Sequence, residues 1–143
     1  MEIRPFQESD EAEVIVGWGG VFGYTTAHND PATSIRRKLA IQRDLFFIAR
    51  LDGLLVGTVM GGYDGHRGWI YSLAVAPEMR RRGVGTALMR HVERELAIRG
   101  CPKVNLQVVA SNAGTVAFYE KLGYAVEQRI SMGKLLGSEI IEP

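Results

Sequence analysis

Apolar and polar positions along the chain alternate with two different periods, and the switches between them mark out the elements. Glu2 to Phe6 alternates over a few residues and is closed by Pro5 and Ser9-Asp10, which predicts a short strand. Ser9 or Asp10 then caps a helix to about Val16. Residues 17–31 carry too many glycines for a helix and hold Trp18, Phe22, Tyr24 and His28, so a loop is expected there. Asn29-Asp30-Pro31 opens a second helix, with Ile35, Leu39 and Gln42 inward and Arg36, Arg37, Lys38 and Arg43 outward.

Period two returns from Leu45 to Leu51 and from Leu54 to Tyr63, joined by the hairpin pair Asp52-Gly53. After a second turn at Asp64-Gly65, a third strand runs from Trp69 to Val75, with Trp69, Tyr71, Leu73 and Val75 on one face. Pro77 cannot continue a ladder. From Val84 the apolar residues Val84, Ala87, Leu88, Val92 and Leu96 trace one helical face, with Arg90, Glu93, Arg94 and Ala97 outward. Glu95 and Arg99 form a favourably oriented i,i+4 pair. Gly100-Cys101-Pro102 ends that helix. Lys103 to Val109 is a strand, parallel to the Trp69–Val75 strand if the crossover has the usual hand. Ser111-Asn112 caps a helix through Leu122, Gly123 stops it, and Tyr124 to Met132 reads as a last strand before a weakly patterned tail. With no repeat or linker, residues 1–143 are read as a single α/β domain.

Composition narrows the function. At 143 residues and 46% hydrophobic, the chain can bury a sizeable core. A net charge of +1 provides no general field for nucleic acid or an anionic membrane, so any basic site is local. No apolar run approaches a membrane span and no signal peptide is read at Glu2 to Arg4, so a cytoplasmic protein is expected. The one cysteine, Cys101, is expected to be a small buried or loop thiol and not a nucleophile. No metal site is expected.

The chemistry concentrates at Arg80-Arg81-Arg82-Gly83-Val84-Gly85-Thr86. Three cations at a helix N-terminus oppose the dipole by roughly 0.3–1 kcal/mol each unless an anion lies between them. The first amides of the helix lack intrahelical partners, and the glycines let the backbone approach a ligand closely. A pyrophosphate suits such a site. The run is not a P-loop, because G-x-x-x-x-G-K-[ST] is absent. It is not a dinucleotide fingerprint either, because Leu88 stands where the third small residue belongs.

Arg80-Arg-Arg-Gly83-Val-Gly85 after Leu73-Ala-Val-Ala-Pro77 resembles the coenzyme A pyrophosphate loop of the GNAT N-acetyltransferases. Asn112-Ala-Gly-Thr-Val-Ala-Phe-Tyr119-Glu-Lys-Leu-Gly-Tyr124 resembles the downstream signature of the same family. The resemblance covers Glu2 to about Met132. It extends to the YpeA type of bacterial acetyltransferase, which shares Gly57-Thr-Val-Met-Gly-Gly-Tyr-Asp-Gly-His-Arg-Gly68 and Arg99-Gly-Cys-Pro-Lys103.

The resemblance implies a GNAT-like α/β fold: a mixed sheet of about six to seven strands with about four helices, splayed beside the Trp69–Val75 strand to admit acetyl-CoA. It implies that Leu73 and Val75 hold the pantetheine arm through main-chain hydrogen bonds and that Arg80, Arg81, Arg82, Gly83, Val84, Gly85 and Thr86 wrap the pyrophosphate. Asn112 would touch the pantetheine, and Tyr119 would be the proton donor to the departing sulfur. The family's glutamate base has no counterpart, since Gln107 occupies its place and cannot take a proton. Tyr24, His28, His66, Tyr71 and Gln107 are the candidate acceptor-site residues, while Asp64 is expected to serve its turn and His91 to be packed. The activity implied is acetyl transfer to a small-molecule or peptide amine by direct attack, with no nucleic acid or membrane partner; a homodimer stays open. The rival reading is a non-catalytic acyl-CoA-binding module.

Overall fold

The computed structural model describes residues 1–21, 30–109 and 112–136, in two compact units divided between Gln107 and Val108. The first unit carries a mixed sheet of six strands: β1 (Glu2–Pro5), β2 (Phe46–Leu51), β3 (Leu54–Tyr63), β4 (Gly68–Ile70), β5 (Ala74–Val75) and β6 (Val104–Leu106). Their spatial order is β1-β2-β3-β4-β6, and β5 pairs with β3. All pairings are antiparallel except β4 with β6, where Gly68 faces Val104 and Ile70 faces Leu106. The parallel crossover is made by α3 (Val84–Ile98).

The helices begin and end where their caps are. In α2 (Pro31–Ala40), Asp30 accepts the Thr33 amide at 3.1 Å and proline fills the first turn. Gly100 terminates α3 at φ 84°, with the Cys101 amide on the Leu96 carbonyl at 3.1 Å and the Gly100 amide on Ala97 at 2.9 Å. In the second unit, α4 (Ala113–Lys121) ends identically: Gly123 sits at φ 97°, the Tyr124 amide reaches Tyr119 and the Gly123 amide reaches Glu120.

The core lies on both faces of β2–β3: Phe47 meets His91 of α3 on one, and Phe46 stacks on Phe6 and Trp18 on the other. Leu45, Phe46, Phe47 and Ile48 are buried, as are Val84, Leu88, Met89, Val92 and Leu96 of α3. Burying each such side chain contributes roughly 1.5–3 kcal/mol. Close approach of α3 depends on glycines beneath it. A Cβ on Gly57 would lie 2.8 Å from Leu88 Cδ1, one on Gly61 would lie 2.6 Å from Val92 Cγ2, and one on Gly68 would lie 2.8 Å from Cys101 Sγ. Cys101 is partly buried, with its thiol against Gly68 and donating to the Lys103 carbonyl at 3.3 Å.

The first helix, α1 (Glu11–Val16), follows a 3₁₀ turn at Glu8–Asp10 and opens into a π turn at Gly17–Val21. The first five residues of the expected loop are therefore helical, and residues 22–29, with Phe22, lie outside the described residues. Trp18 in that turn is buried, with Nε1 donating to Thr58 Oγ1 at 2.9 Å, because its indole finds a partner in the core. Asp10 does not cap α1; it lies under the sheet edge, held by Arg4 and Arg50.

Three expectations are corrected. The Trp69–Val75 strand is not continuous: between Gly61 and Thr58, β3 takes three steps, while the opposite chain takes four from Ile70 to Ala74. The extra residue is a bulge, and it reverses the faces. Ile70 shares the α3 face with Gly61, but Ala74 shares the opposite face with Thr58, and Val75 returns to the α3 side with Gly57. Hence Trp69, Tyr71, Leu73 and Val75 do not line one face.

The last strand, Tyr124 to Met132, does not form among the described residues. The Tyr124 amide is spent on the α4 cap and the Arg129 amide on the Glu127 carbonyl, so these donors are used locally. Ile130 and Met132 are each 91% exposed, and alternation without a neighbouring strand does not make a ladder. Lys38 on α2 is not outward, and Gln42, two residues past that helix, reaches the sheet as expected. Lys38 Nζ donates to the Gly61 carbonyl, while Gln42 clamps the Tyr63 backbone, accepting at 2.9 Å and donating at 2.7 Å.

Candidate functional site

The loop between β5 and α3 is built to leave backbone donors open. A 3₁₀ turn, Pro77–Met79, follows β5 at once. Arg81 (φ 65°) and Gly83 (φ 82°) are both left-handed, and Gly83 is the N-cap of α3 with no side chain to cap it. The first amide to bond back into the helix is that of Ala87, on the Gly83 carbonyl at 2.9 Å. The Val84, Gly85 and Thr86 amides precede that bond, at the positive end of a helix of 15 residues. Arg80, Arg81, Arg82 and Gly83 are all exposed beside them. This donor set, with its fixed positive charge, fits a pyrophosphate.

Upstream, β5 presents an edge. Ala74 lies opposite Thr58, and the Ala76 amide donates to the Val56 carbonyl at 2.9 Å. Amides of alternate residues point to opposite edges, so those of Leu73 and Val75 point away from β3. Among the described residues no strand pairs along that side. The β4–β6 pairing ends at Ile70 and Leu106, so the sheet opens from Tyr71 and Gln107 onward.

The acceptor candidates scatter. Tyr71 and Gln107 follow the last paired residues of β4 and β6, and both are exposed. His66 is exposed on the turn before β4, so the length of that strand, about 10 Å, separates it from Tyr71. Asp64 is a turn residue: its Oδ1 accepts the His66 and Arg67 amides at 2.7 and 2.8 Å. Those bonds, Arg67 first, hold its carboxyl below the ordinary value. Tyr24 and His28 lie outside the described residues. His91 is packed at 4.5 Å against Phe47, and burial lowers its pKa.

In the second unit, Asn112 is the N-cap of α4, its Oδ1 accepting the Thr115 amide at 3.2 Å. That bond leaves the side-chain NH₂ as a donor. Tyr119 is half-buried between Phe118 and Tyr124, with ring centroids at 5.0 and 5.7 Å. Burial pushes its phenol up to about 12, so it holds its proton at neutral pH.

Sequence reasoning also missed the placement of Lys38, whose Nζ donates to the Gly61 carbonyl beside the end of β4. It stands three residues after Ile35, with Leu39 and Gln42 at the next positions of the same face. That spacing was the available signal, obscured by the basic neighbours Arg36 and Arg37.

The family model described as "Acetyltransferase (GNAT) family" matches residues 21–124. An acetyltransferase of Yersinia enterocolitica is 46% identical over 136 residues, covering 95% of this chain and 96% of that protein. Among solved structures, Naa20 of Chaetomium thermophilum, in complex with a bisubstrate analogue, superposes with a TM-score of 0.73 at 25% identity, covering 88% of this chain and 72% of that one. AAC(6')-Iy, solved with the bisubstrate analogue CoA-S-monomethyl-acetylneamine, shares the fold with a TM-score of 0.75 at 20% identity, covering 94% and 97%. The α3 turn, the mixed sheet and these matches agree: the chain belongs to the GNAT family and is an acetyltransferase.

Proposed function

We propose that residues 1–143 form one domain that transfers acetyl from acetyl-CoA to a small-molecule or peptide amine by direct attack. The observation that carries this is the open N-terminus of α3 behind Gly83, with Arg80–Arg82 beside it and the free β5 edge leading into it. The family match across both units supports the single domain, and the CoA-derived analogue bound by AAC(6')-Iy supports the cosubstrate. In this reading the Val84, Gly85 and Thr86 amides and the arginines hold the pyrophosphate. Leu73 and Val75 hold the pantetheine through their backbone, and Asn112 offers its NH₂ to the same arm.

The acceptor's neutral nitrogen attacks the thioester carbonyl, the C–N bond forms and the C–S bond breaks. The departing sulfur gains a proton, for which Tyr119 is the donor, and the nitrogen loses one to solvent. With no carboxylate at Gln107, an amine of lowered pKa suits the site better than a protein lysine. Reaching the neutral form at pH 7 costs roughly 4.6 kcal/mol for a lysine and 1.4 for an α-amine.

The test is calorimetry with acetyl-CoA, followed by thiol release with α-amine, amino-sugar and internal-lysine acceptors. Saturable acetyl-CoA binding with turnover on α-amines or amino sugars is expected. Absence of acetyl-CoA binding overturns the cosubstrate, and turnover confined to internal lysines overturns the acceptor preference.

A further inference from the structure

The pairing of β2 with β3 stops at Phe46, which faces Met60, yet β3 runs on through Gly61, Gly62 and Tyr63. Those three residues are the ones that β4 pairs with, from the other edge. Backbone groups of alternate residues point to opposite edges of a strand. The Met60 carbonyl accepts the Tyr71 amide at 2.9 Å, so it points toward β4. The Gly61 carbonyl and both polar groups of Tyr63 therefore point to the edge that β2 no longer covers.

Two side chains from the end of α2 and just past it take the place of the missing strand. Lys38 Nζ donates to the Gly61 carbonyl. Gln42 accepts the Tyr63 amide at 2.9 Å and donates to the Tyr63 carbonyl at 2.7 Å, the two bonds that a strand residue makes in a hydrogen-bonded antiparallel pair. Gln42 itself is left-handed, at φ 55° and ψ 49°, a strained conformation that persists only where the surroundings impose it.

The clamp bears on one part of the sheet. A Cβ on Gly62 would meet Tyr71 Cε2 at 3.3 Å, Gln42 Oε1 at 3.4 Å and Lys38 Nζ at 3.8 Å, so the Tyr71 ring and both clamp side chains close on the same glycine. The β5 strand is anchored elsewhere. It pairs with Gly57 and Thr58, which β2 still covers through Ala49 and Ile48, and the Ala76 amide reaches the Val56 carbonyl at 2.9 Å. The end of β4 thus depends on Lys38 and Gln42, while the β5 edge does not.

We infer that Lys38 and Gln42 are positioning residues for acetyl transfer: they stand in for the end of β2 and hold Tyr71 in place on the acceptor side, independently of the cofactor edge. The inference rests on the acetyl-transfer reading above, with acetyl-CoA along β5 and the acceptor beyond Tyr71. It adds two residues that act through Tyr71 without touching either substrate.

The experiment compares wild type with Gln42→Gly, Lys38→Met and Lys38→Arg. Gln42→Gly removes the clamp and also relieves the left-handed backbone, so it should melt close to wild type. Amide exchange is followed by NMR, acetyl-CoA binding by calorimetry, and kinetics with glucosamine and with a tripeptide beginning with glycine. In Gln42→Gly and Lys38→Met the Tyr71 amide should exchange roughly tenfold faster, the worth of about one hydrogen bond, with the Ala76 amide unchanged. Their kcat/KM for the acceptor should fall by roughly 10- to 100-fold, as a small misplacement does, with acetyl-CoA affinity unchanged. Lys38→Arg keeps the donor and should recover most of both losses. Wild-type exchange at Tyr71 in both clamp variants, equal acceleration at Ala76, or an equal loss of acetyl-CoA affinity overturns the inference. So does a Lys38→Arg variant no better than Lys38→Met. Absence of acetyl-CoA binding or of turnover in the wild type counts against the acetyl-transfer reading instead, and the exchange rates alone then decide whether the clamp holds Tyr71.

Discussion

Asp10 and Arg50, forty positions apart in the chain, join at 2.9 Å between Oδ1 and Nη2 and tie the start of α1 to the end of β2. Asp10 is 1% exposed and also holds Arg4 through both oxygens, at 2.8 and 2.9 Å, and the Gln7 amide at 2.8 Å. Burial alone would raise its pKa. The hydrogen bonds from Arg4, Arg50 and Gln7 outweigh that and hold the carboxyl far below the usual range. Removing one partner of a buried network leaves the others uncompensated, at about 3–5 kcal/mol.

Asp10→Asn should therefore lower stability by about 3 kcal/mol, measured by urea denaturation. The sign in pH follows from the depressed value. The contribution of Asp10 is complete above its unfolded pKa of about 3.9 and is lost as pH falls from there toward the folded value. The stability gap between wild type and Asp10→Asn should narrow below about pH 5. A gap that stays constant from pH 7 to pH 3 would show that the carboxylate charge is not what matters.

Gly61 illustrates a constraint of packing alone. With Val92 Cγ2 only 2.6 Å from where a Cβ would sit, Gly61→Ala forces α3 away from β3. Overpacking of this kind costs about 1–3 kcal/mol. The double variant Gly61→Ala/Val92→Ala should recover part of the loss relative to Val92→Ala, because the cavity made at Val92 receives the new methyl. Strict additivity of the two changes in thermal or chemical unfolding would refute the contact.

Much of this architecture was legible because its signals are local. Gly83, Gly100 and Gly123 mark helix ends through backbone conformation, and Asp52-Gly53 and Asp64-Gly65 mark turns through their own dihedrals and hydrogen bonds. What escaped depends on partners distant in sequence. The bulge after Ile70 exists only relative to β3, and period-two reading carries a strand's faces straight across it. Tyr124 to Met132 alternates as a strand should, yet pairing is a property of a neighbour, not of the segment. Lys38 looked solvated because lysine usually is, and only the carbonyl of Gly61 shows otherwise. The α3 turn was readable as a motif, whereas the approach of Lys38, Gln42 and Tyr71 to Gly62 needed α2, β3 and the end of β4 placed together.

The α3 turn makes a prediction about binding. Gly83, at φ 82°, has nothing within 4 Å of where a Cβ would sit, so a substitution meets no clash and acts through the backbone. A β-branched residue is strained in the left-handed region by roughly 1–2 kcal/mol and would reorient the Val84, Gly85 and Thr86 amides. Gly83→Val should weaken acetyl-CoA at least tenfold by calorimetry, given about 1.5–3 kcal/mol for a charged hydrogen bond. Arg37→Ala, at an exposed position on α2, should bind as wild type does. Equal affinities for the two variants would remove the turn from the phosphate site.

Tyr119 carries the prediction closest to the chemistry. Its phenol, pushed up to about 12 by burial, is fully protonated across the working range, which a donor requires. The same shift makes complete transfer to a thiolate harder: against a thiol of about 8.5, the gap is about 3.5 units, or roughly 5 kcal/mol at ~1.36 per unit. A hydrogen bond that strengthens as charge builds on sulfur is therefore the larger part of its role, with transfer late in C–S cleavage. Tyr119→Phe removes the hydroxyl and keeps the ring contacts with Phe118 and Tyr124, so folding and acetyl-CoA affinity should be nearly unchanged. Turnover should fall by about 10²–10⁴-fold. The loss should be smaller for acyl thioesters of more acidic thiols, whose leaving groups need less help. An equal loss for all thioesters, or a change in KM for acetyl-CoA with kcat preserved, would assign Tyr119 to binding instead of proton donation.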